Sequence, residues 1–380
     1  MCKNVKVVIG ANYGDEGKGM MTRYFVTNSE ELPVVVFHNG TAQRGHTVDY
    51  SEDFKHIYHH FGSGTADGSS TYFADTFLVH PMEFYREYIE LCSKGIKVPL
   101  CLCNPNAKVI TPFDMVVDRA FEENFTRVNG EKEYASCMLG SWCAAEDRIP
   151  LGRTAYSISD FKNIELIPFI MEEIWKDCIG ILNSRCVDIE STSFSYIIKN
   201  KNIIVHNFTK DLEFFFSKVK FVDFDTLWKE HNSFVFETGQ GLGLDKDVDN
   251  RWHTTSSTGV LNPFNMLKDK SDFNAEVCYV TRSYLTRHGA GPLEEQVDKK
   301  EINDSMVDST NVYTEFVGSL RYGFLEKQKQ KQRIEKDWSI VGKDSRFKKS
   351  IAVTHCNEFE NTYDDSKYVS SSKFSVEELR

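Results

Sequence analysis

Residues 9–19 read Ile-Gly-Ala-Asn-Tyr-Gly-Asp-Glu-Gly-Lys-Gly and follow the apolar run Val5-Lys6-Val7-Val8-Ile9. A near-continuous apolar run that feeds a glycine-rich turn constrains the fold strongly. Strands of that kind are buried on both faces, and the turn invites a helix whose first N–H groups can hold phosphate oxygens. The turn departs from the ordinary P-loop, which needs Gly, four residues, then Gly-Lys-Ser/Thr. Asn12 stands where the first glycine belongs, and Gly19 where the metal-binding hydroxyl belongs. Two carboxylates, Asp15 and Glu16, lie inside a segment meant for anions.

Further β-rich runs occur at Val34–Phe37, Ile203–Val205, Phe234–Phe236, Val277–Thr281 and Ile351–Thr354. Helical patterns alternate with them. Met82–Lys94 puts Phe84, Tyr85, Tyr88, Ile89 and Cys92 on one stripe and stops at Gly95, while Leu166–Leu182 carries Leu166, Ile170, Ile174, Cys178 and Ile181. The alternation predicts an α/β fold: a mainly parallel central β-sheet with helices on both faces, within one elaborated domain over residues 1–380. Ligands bind such sheets at the carboxyl ends of the strands. Polar, glycine-rich segments follow several of them: 10–19, 38–47, 238–245, 282–292 and 355–357. The biased run Glu326–Arg333 reads as a solvated surface helix or loop, and the serine-rich run Asp364–Lys373 as loop.

Of the 380 residues, 41% are hydrophobic and 27% charged, enough for a large buried core. The net charge of −11 argues against a general nucleic-acid or membrane-surface binder, since no broad basic field is available. The ten cysteines contain no C-x-x-C pair and read as reduced, buried thiols. Met-Cys-Lys-Asn leads straight into a strand, and no apolar run approaches the ~20 residues that span a bilayer. The expectation is a cytoplasmic protein with no leader.

Lys18 would add a point charge to the phosphate loop. Asp15 has two sensible tasks there: holding Mg²⁺, or acting as a general base beside a transferring phosphoryl group. The simpler alternative is that Asp15 and Glu16 cap a helix. In His38–Thr47, His46 lies between Gly45 and Thr47; a lone histidine is more often structural, but beside the opening loop it is a credible proton donor.

Five ordered motifs resemble the adenylosuccinate synthetase family, which joins aspartate to a 6-oxopurine nucleotide. Tyr13-Gly14-Asp15-Glu16-Gly17-Lys18-Gly19 is similar to the family's W-G-D-E-G-K-G, and Asn39–Thr47 to G-G-x-N-A-G-H-T. Phe236–Asp245 echoes F-E-G-A-Q-G-x-x-L-D, Thr255-Ser256-Ser257 the T-S-S signature, and Thr286–Pro292 the run T-R-V-G-A-G-P. The resemblance implies a two-step ligase. Asp15 deprotonates purine N1, O6 takes the γ-phosphoryl group, His46 stabilises or protonates it, and the aspartate amine then displaces phosphate from C6. Asp15, His46, Lys18 and Gln240 would be catalytic, and Gly14, Glu16, Gly17, Gly19, Gly45 and Thr47 would form the phosphate loop. Mg²⁺ would sit on Asp15 and the Gly45 carbonyl. Asn39, Gln43, Ser136, Cys137, Arg153, Gln240, Leu244 and Thr255 would meet the purine monophosphate. The family is a homodimer in which an arginine crosses to this phosphate, here Arg148 or Arg153.

Two departures matter. The family's arginine-rich aspartate loop becomes Glu315–Phe324, leaving Arg321, helped by Ser319, for the substrate carboxylate. The guanine-reading T-K-L-D becomes Thr354-His355-Cys356-Asn357, and His355 with Asn357 suits an adenine donor base better than guanine. ATP or dATP is therefore expected ahead of GTP. Asp15 favours IMP as substrate. The altered donor motif favours the phage branch that acts on dGMP to make the precursor of 2-aminoadenine. An inactive nucleotide-binding sensor on the same fold is the non-enzymatic alternative.

Overall fold

The opening apolar run forms strand β1 (Lys3–Gly10) in a computed structural model of the chain. The structure describes residues 2–51, 54–130, 139–144, 155–249, 252–306, 318–356, 358–359 and 371–373. Eight further strands join β1: β2 (Val34–Phe37), β3 (Thr71–Phe73), β4 (Cys101–Cys103), β5 (Val219–Phe221), β6 (Ser233–Gly241), β7 (Phe273–Arg282), β8 (Phe347–Thr354) and β9 (Ser371–Lys373). Their order is β9-β8-β7-β1-β6-β2-β3-β4-β5. Every pairing in this nine-stranded sheet is parallel. The expected α/β architecture is thus the observed one.

Side-chain alternation sends Val8, Val35 and Phe37 to one face of the sheet and Val5, Val7, Ile9, Val34 and Val36 to the other. Both faces are covered, which is why the runs are apolar throughout rather than alternating. Of the helices with ten residues or more, α1 (Lys18–Thr27), α2 (Pro81–Ser93), α3 (Pro112–Asn129), α4 (Ile167–Ser184) and α5 (Tyr196–Lys218) pack on the first face. The second face is closed by Leu227, Trp228 and Leu267, and by Ile334 of α6 (Lys327–Trp338).

Several expectations need correction. Ile203–Val205 is not a strand: it lies inside α5, whose buried residues Phe208, Leu212 and Phe215 recur at helical spacing while Ile203 faces solvent. Strands β3, β4 and β5 have three residues each, too short to show a period. The buried stripe of α2 is Phe84, Glu87 and Leu91; Tyr85, Ile89 and Cys92 are exposed. Leu166 precedes α4 and is exposed, and Ile167 and Met171 take the inward positions. Residues 371–373 are strand rather than loop. Nine cysteines are described and all are free; Cys2, Cys92 and Cys186 are exposed. Among the described residues no helix is long and apolar enough to cross a membrane.

Five histidines among the described residues are buried in this framework: His38, His46, His56, His60 and His80. His60 is ringed by Phe73, Phe77 and Phe84, with ring centroids 4.7–5.5 Å away. Burial holds His38, His46, His60 and His80 neutral, pushing His38 and His80 down to about 3, His46 to about 4, and His60 well below its usual range. The unfolded chain binds these protons below about 6.5 and the fold does not, so stability falls as pH drops from 6.5 towards 4. Each histidine contributes about 1.4 kcal/mol per pH unit across that window. The urea unfolding midpoint should be level above pH 7 and fall steeply between pH 6.5 and 5. A midpoint indifferent to pH over that range would show that the histidines are protonated within the fold.

Candidate active site

The loops after β1, β2 and β6 meet at the carboxyl edge of the sheet, and glycine permits the approach. Gly14 has φ +113°, and a Cβ there would lie 3.3 Å from the Gln240 Cα. A Cβ on Gly241 would lie 2.6 Å from the Asn12 carbonyl oxygen. The backbone of Gly239 is clipped to Asn39 by a reciprocal pair: Gly239 N–H donates to Asn39 Oδ1 at 2.8 Å, and Asn39 Nδ2 donates to the Gly239 carbonyl at 3.1 Å.

Within the opening loop the two acids separate. Glu16 is buried, and its Oε1 accepts the N–H groups of Asn12 (2.9 Å) and Gly14 (3.0 Å). Lys18 is buried beside it, with Nζ 3.6 Å from Glu16 Oε2 and donating to the Gly14 carbonyl at 2.5 Å. Burial raises the Glu16 carboxyl and lowers the Lys18 ammonium, and their mutual attraction opposes both shifts. Neither acid caps α1. The N-cap is Gly17 at φ 90°, without a side-chain cap, so the first N–H groups of the helix stay available to an anion.

His46 begins the hairpin strand His46–Ser51, packed behind Gly19, whose Cβ would meet the Thr47 carbonyl at 2.7 Å. Its Nδ1 lies 2.5 Å from Glu237 Oε1 on β6. Glu237 is fully buried and also accepts the Ser63 N–H at 3.0 Å and the Ser63 hydroxyl. Burial pushes the Glu237 carboxyl up, but His46 and Ser63 outweigh it and hold Glu237 below the usual carboxylate range. With Nδ1–H given to Glu237, the His46 lone pair lies on Nε2. Arg44 braces the same segment, donating from Nη1 to the Glu237 carbonyl at 3.0 Å and from Nη2 to the Asn39 carbonyl at 2.5 Å.

The Asp15 side chain is 21% exposed and has His288 Nδ1 at 3.8 Å from its Oδ2. Its backbone carbonyl accepts from Arg282 Nε. A carboxylate with this exposure and the exposed Gly45 carbonyl segment are hard oxygen donors, and Glu16 is spent inside the loop. That donor set suits Mg²⁺, which keeps several waters and takes few protein oxygens.

The remaining expected residues divide. Gln240 adopts φ 59°, and its Oε1 is buried without a hydrogen-bond partner among the described residues. Thr255 is buried, and Leu244 and Thr47 are half-buried. Gln43 Oε1 accepts from Ser141 Oγ at 3.0 Å. Ser319 is exposed. Arg321 donates from Nη2 to the Gly289 and Gly291 carbonyls, both at 2.8 Å, and from Nη1 to Gln296 Oε1 at 3.1 Å. His355 Nδ1 pairs with Thr354 Oγ1 at 2.8 Å, and Thr354 Oγ1 donates to the Glu16 carbonyl at 2.8 Å. Ser136, Cys137, Arg148, Arg153 and Asn357 lie outside the described residues.

Sequence reading passed over Glu237 and Arg44, although a carboxylate in an otherwise apolar strand was a signal. The run Glu326–Arg333, expected as a solvated surface helix or loop, is helical but solvated on one side only. Gln330 is fully buried and donates to Thr281 Oγ1 at 2.7 Å; Arg333 Nη2 donates to Asn12 Oδ1 at 2.8 Å. The α6 helix therefore buttresses the opening loop.

Comparison with known proteins agrees with this arrangement. The family model described as adenylosuccinate synthetase matches residues 7–334. An adenylosuccinate synthetase from Thermosipho africanus is 27% identical over 300 residues, covering 78% of this chain and 67% of that one. One from Thermoplasma volcanium is 26% identical over 309 residues, covering 79% and 64%. The chain thus spans about two thirds of the length of these relatives. Among solved structures, a fully ligated adenylosuccinate synthetase from Plasmodium falciparum superposes with TM-score 0.68 at 19% identity, covering 93% of this chain and 77% of that one. The succinoaminodeoxyadenylate synthetase of cyanophage S-2L, bound to dGMP and dATP, gives TM-score 0.56 at 14% identity, covering 94% and 86%. With the opening motif, the His46 segment and the parallel sheet in agreement, the chain belongs to the adenylosuccinate synthetase family, whose members are ligases that form carbon–nitrogen bonds.

Proposed function

We propose that this protein joins L-aspartate to C6 of a 6-oxopurine nucleoside monophosphate, with a nucleoside triphosphate as phosphoryl donor. The observation that carries the reading is the division of labour in one loop: Glu16 is folded inward, Asp15 is left accessible, and the α1 N-terminus that follows is uncapped. A base and an anion site thereby share a single turn. Asp15 takes the N1 proton, so that O6 attacks the γ-phosphorus and the bond to the β-phosphate oxygen breaks. The N–H groups at the start of α1 receive phosphate oxygens. His46 meets the transferred phosphoryl group through Nε2, and the anion there draws a proton onto a ring that is neutral in its absence. Glu237 stabilises the resulting imidazolium. The aspartate amine then attacks C6, and phosphate leaves with O6. When bound, Mg²⁺ would be held by Asp15 and the Gly45 carbonyl and would neutralise phosphate charge.

Retained Asp15 supports IMP as the substrate, as in the adenylosuccinate synthetases. The cyanophage relative's bound dGMP and dATP support a second reading, in which dGMP is the acceptor and ATP or dATP the donor. The loss of the T-K-L-D pattern supports the adenine donor in either case. Gln43, Gln240, Thr255 and Leu244 would hold the monophosphate, and Arg321 with Ser319 the aspartate carboxylate, in a cytoplasmic homodimer.

Phosphate release should require both aspartate and a purine monophosphate and should run faster with ATP or dATP than with GTP. Silence with IMP, GMP and dGMP alike would leave the inactive sensor as the better description. Asp15→Asn should cut turnover by at least about 10²-fold while calorimetric binding of the purine nucleotide persists. Normal turnover in that variant would remove Asp15 as the base. Glu237→Gln keeps an acceptor for His46 Nδ1 but removes the charge, so kcat should fall by about 10²-fold with KM little changed. A rise in KM alone would assign the His46–Glu237 pair to binding.

A further inference from the structure

Outside the residues assigned to chemistry, two cysteines and an aspartate from separate segments meet in the core. Asp114 stands in the first turn of α3, Cys143 on the short helix Ser141–Ala144, and Cys178 in α4. A glycine lets the first two segments close on each other. Gly140 has φ +83°, and a Cβ there would lie 2.9 Å from the Met115 amide nitrogen and 3.0 Å from the Asp114 Cβ. The Cys143 and Cys178 Sγ atoms are 4.0 Å apart. With a carboxylate oxygen of Asp114, the three atoms all lie within 4.8 Å of one another. None of the three residues is more than 2% exposed.

Two sulfurs and a carboxylate oxygen at this spacing match the ligand edges of a tetrahedral zinc ion. Zn–S bonds of about 2.3 Å and Zn–O bonds of about 2.0–2.2 Å set neighbouring ligand atoms about 3.5–3.8 Å apart. A disulfide, by contrast, would need the sulfurs at about 2.05 Å. Outer hydrogen bonds already orient two of the three groups. The Thr111 N–H and hydroxyl donate to Asp114 Oδ2 at 2.7 and 2.8 Å, and the Cys143 N–H donates to Asp118 Oδ1 at 3.2 Å. Partners of this kind fix the direction of metal ligands. Sulfur donors favour zinc over the harder magnesium ion, whose oxygen donors Asp15 and Gly45 belong to a different site. We propose that Asp114, Cys143 and Cys178 form a zinc-binding site, with water completing the tetrahedron. On binding, the two thiol protons pass to solvent and the ion is held by two thiolates and a carboxylate. The ion would staple α3, α4 and the short helix together. That helix also carries Ser141, whose hydroxyl donates to Gln43 Oε1 at 3.0 Å, so the staple would steady one wall of the proposed monophosphate pocket. The zinc site itself does not rest on the ligase reading.

Cobalt(II) is the probe, because it enters zinc sites and reports its ligands by colour. Added to the reduced, metal-stripped protein, a single Co²⁺ per chain should give a thiolate-to-metal charge-transfer band and the intense visible bands of a tetrahedral ion. Equimolar Zn²⁺ should remove both. Cobalt on oxygen donors such as Asp15 gives no charge-transfer band of this kind. Cys178→Ser should weaken cobalt binding by about 100-fold or more and strip most of that band. Asp114→Asn should weaken binding by about tenfold or more while the band remains. Serine in place of the exposed Cys2, Cys92 and Cys186 should change neither affinity nor spectrum. Absence of the band in the wild type, its loss with the exposed cysteines, or an affinity unmoved in folded Cys178→Ser or Asp114→Asn overturns the proposal and leaves the two thiols as an ordinary core contact. Where the serine variant fails to fold, the wild-type spectrum and the Asp114→Asn affinity decide.

Discussion

A carboxylate folded back into its own loop sets the shape of the site. A turn between a buried strand and a helix exposes several backbone N–H groups that water cannot reach. Glu16 takes two of them, from Asn12 and Gly14, and Lys18 supplies the balancing charge while tying down the Gly14 carbonyl. Because these bonds are made within the protein, the loop holds its form before any nucleotide arrives. Donors fixed in advance need no reorganisation when charge develops in the reaction. An acid in this glycine-rich loop thus has a structural reason at Glu16, while the carboxylate of its neighbour Asp15 stays partly exposed, as the proposed base requires.

Neighbouring strand ends reinforce the arrangement. Arg282 at the end of β7 holds the Asp15 carbonyl, and Thr354 at the end of β8 holds the Glu16 carbonyl. On the other side β6 supplies Glu237 to His46 and the Gln240 turn that lies against Gly14. The side chains assigned to chemistry therefore lean on strand ends rather than on flexible loop. Positions held by a packed sheet are the ones in which sub-ångström placement can be maintained.

Much of this was legible in the sequence. Strands β1, β2, β6, β7 and β8 announced themselves as apolar runs because the sheet is covered on both faces. The three-residue strands did not, since no period can be read in three positions. In α2 the aromatic residues Tyr85 and Tyr88 suggested a stripe, but Glu87 lies on the inward face because it accepts N–H bonds from His59 and His60. A buried carboxylate of this kind breaks the hydrophobic pattern from which helices are read. The same effect concealed the inward face of α6. Its lysine and glutamine repeat looks solvated, yet Gln330, Ile334 and Asp337 form an inward stripe at helical spacing. Gln330 is buried because Thr281 and Asn12 need a polar partner, a demand visible only once the sheet brings them together. At the site, Asp15 and His46 could be found by motif. Glu237 and Arg44 meet the site through hydrogen bonds between segments distant in the chain.

The strand order also imposes a timetable on the growing chain. β1 is made first, but its two partners are β6, beginning at Ser233, and β7, beginning at Phe273. Throughout the synthesis of the intervening residues its apolar run has neither edge paired. Such an edge is a template for the wrong partner, another nascent copy included. The lysines at positions 3 and 6 interrupt the hydrophobicity of β1, and in the finished fold they bond the His231 carbonyl and Glu276 respectively. Before those partners exist the same charges act as gatekeepers, keeping the centre of the future sheet soluble while it waits.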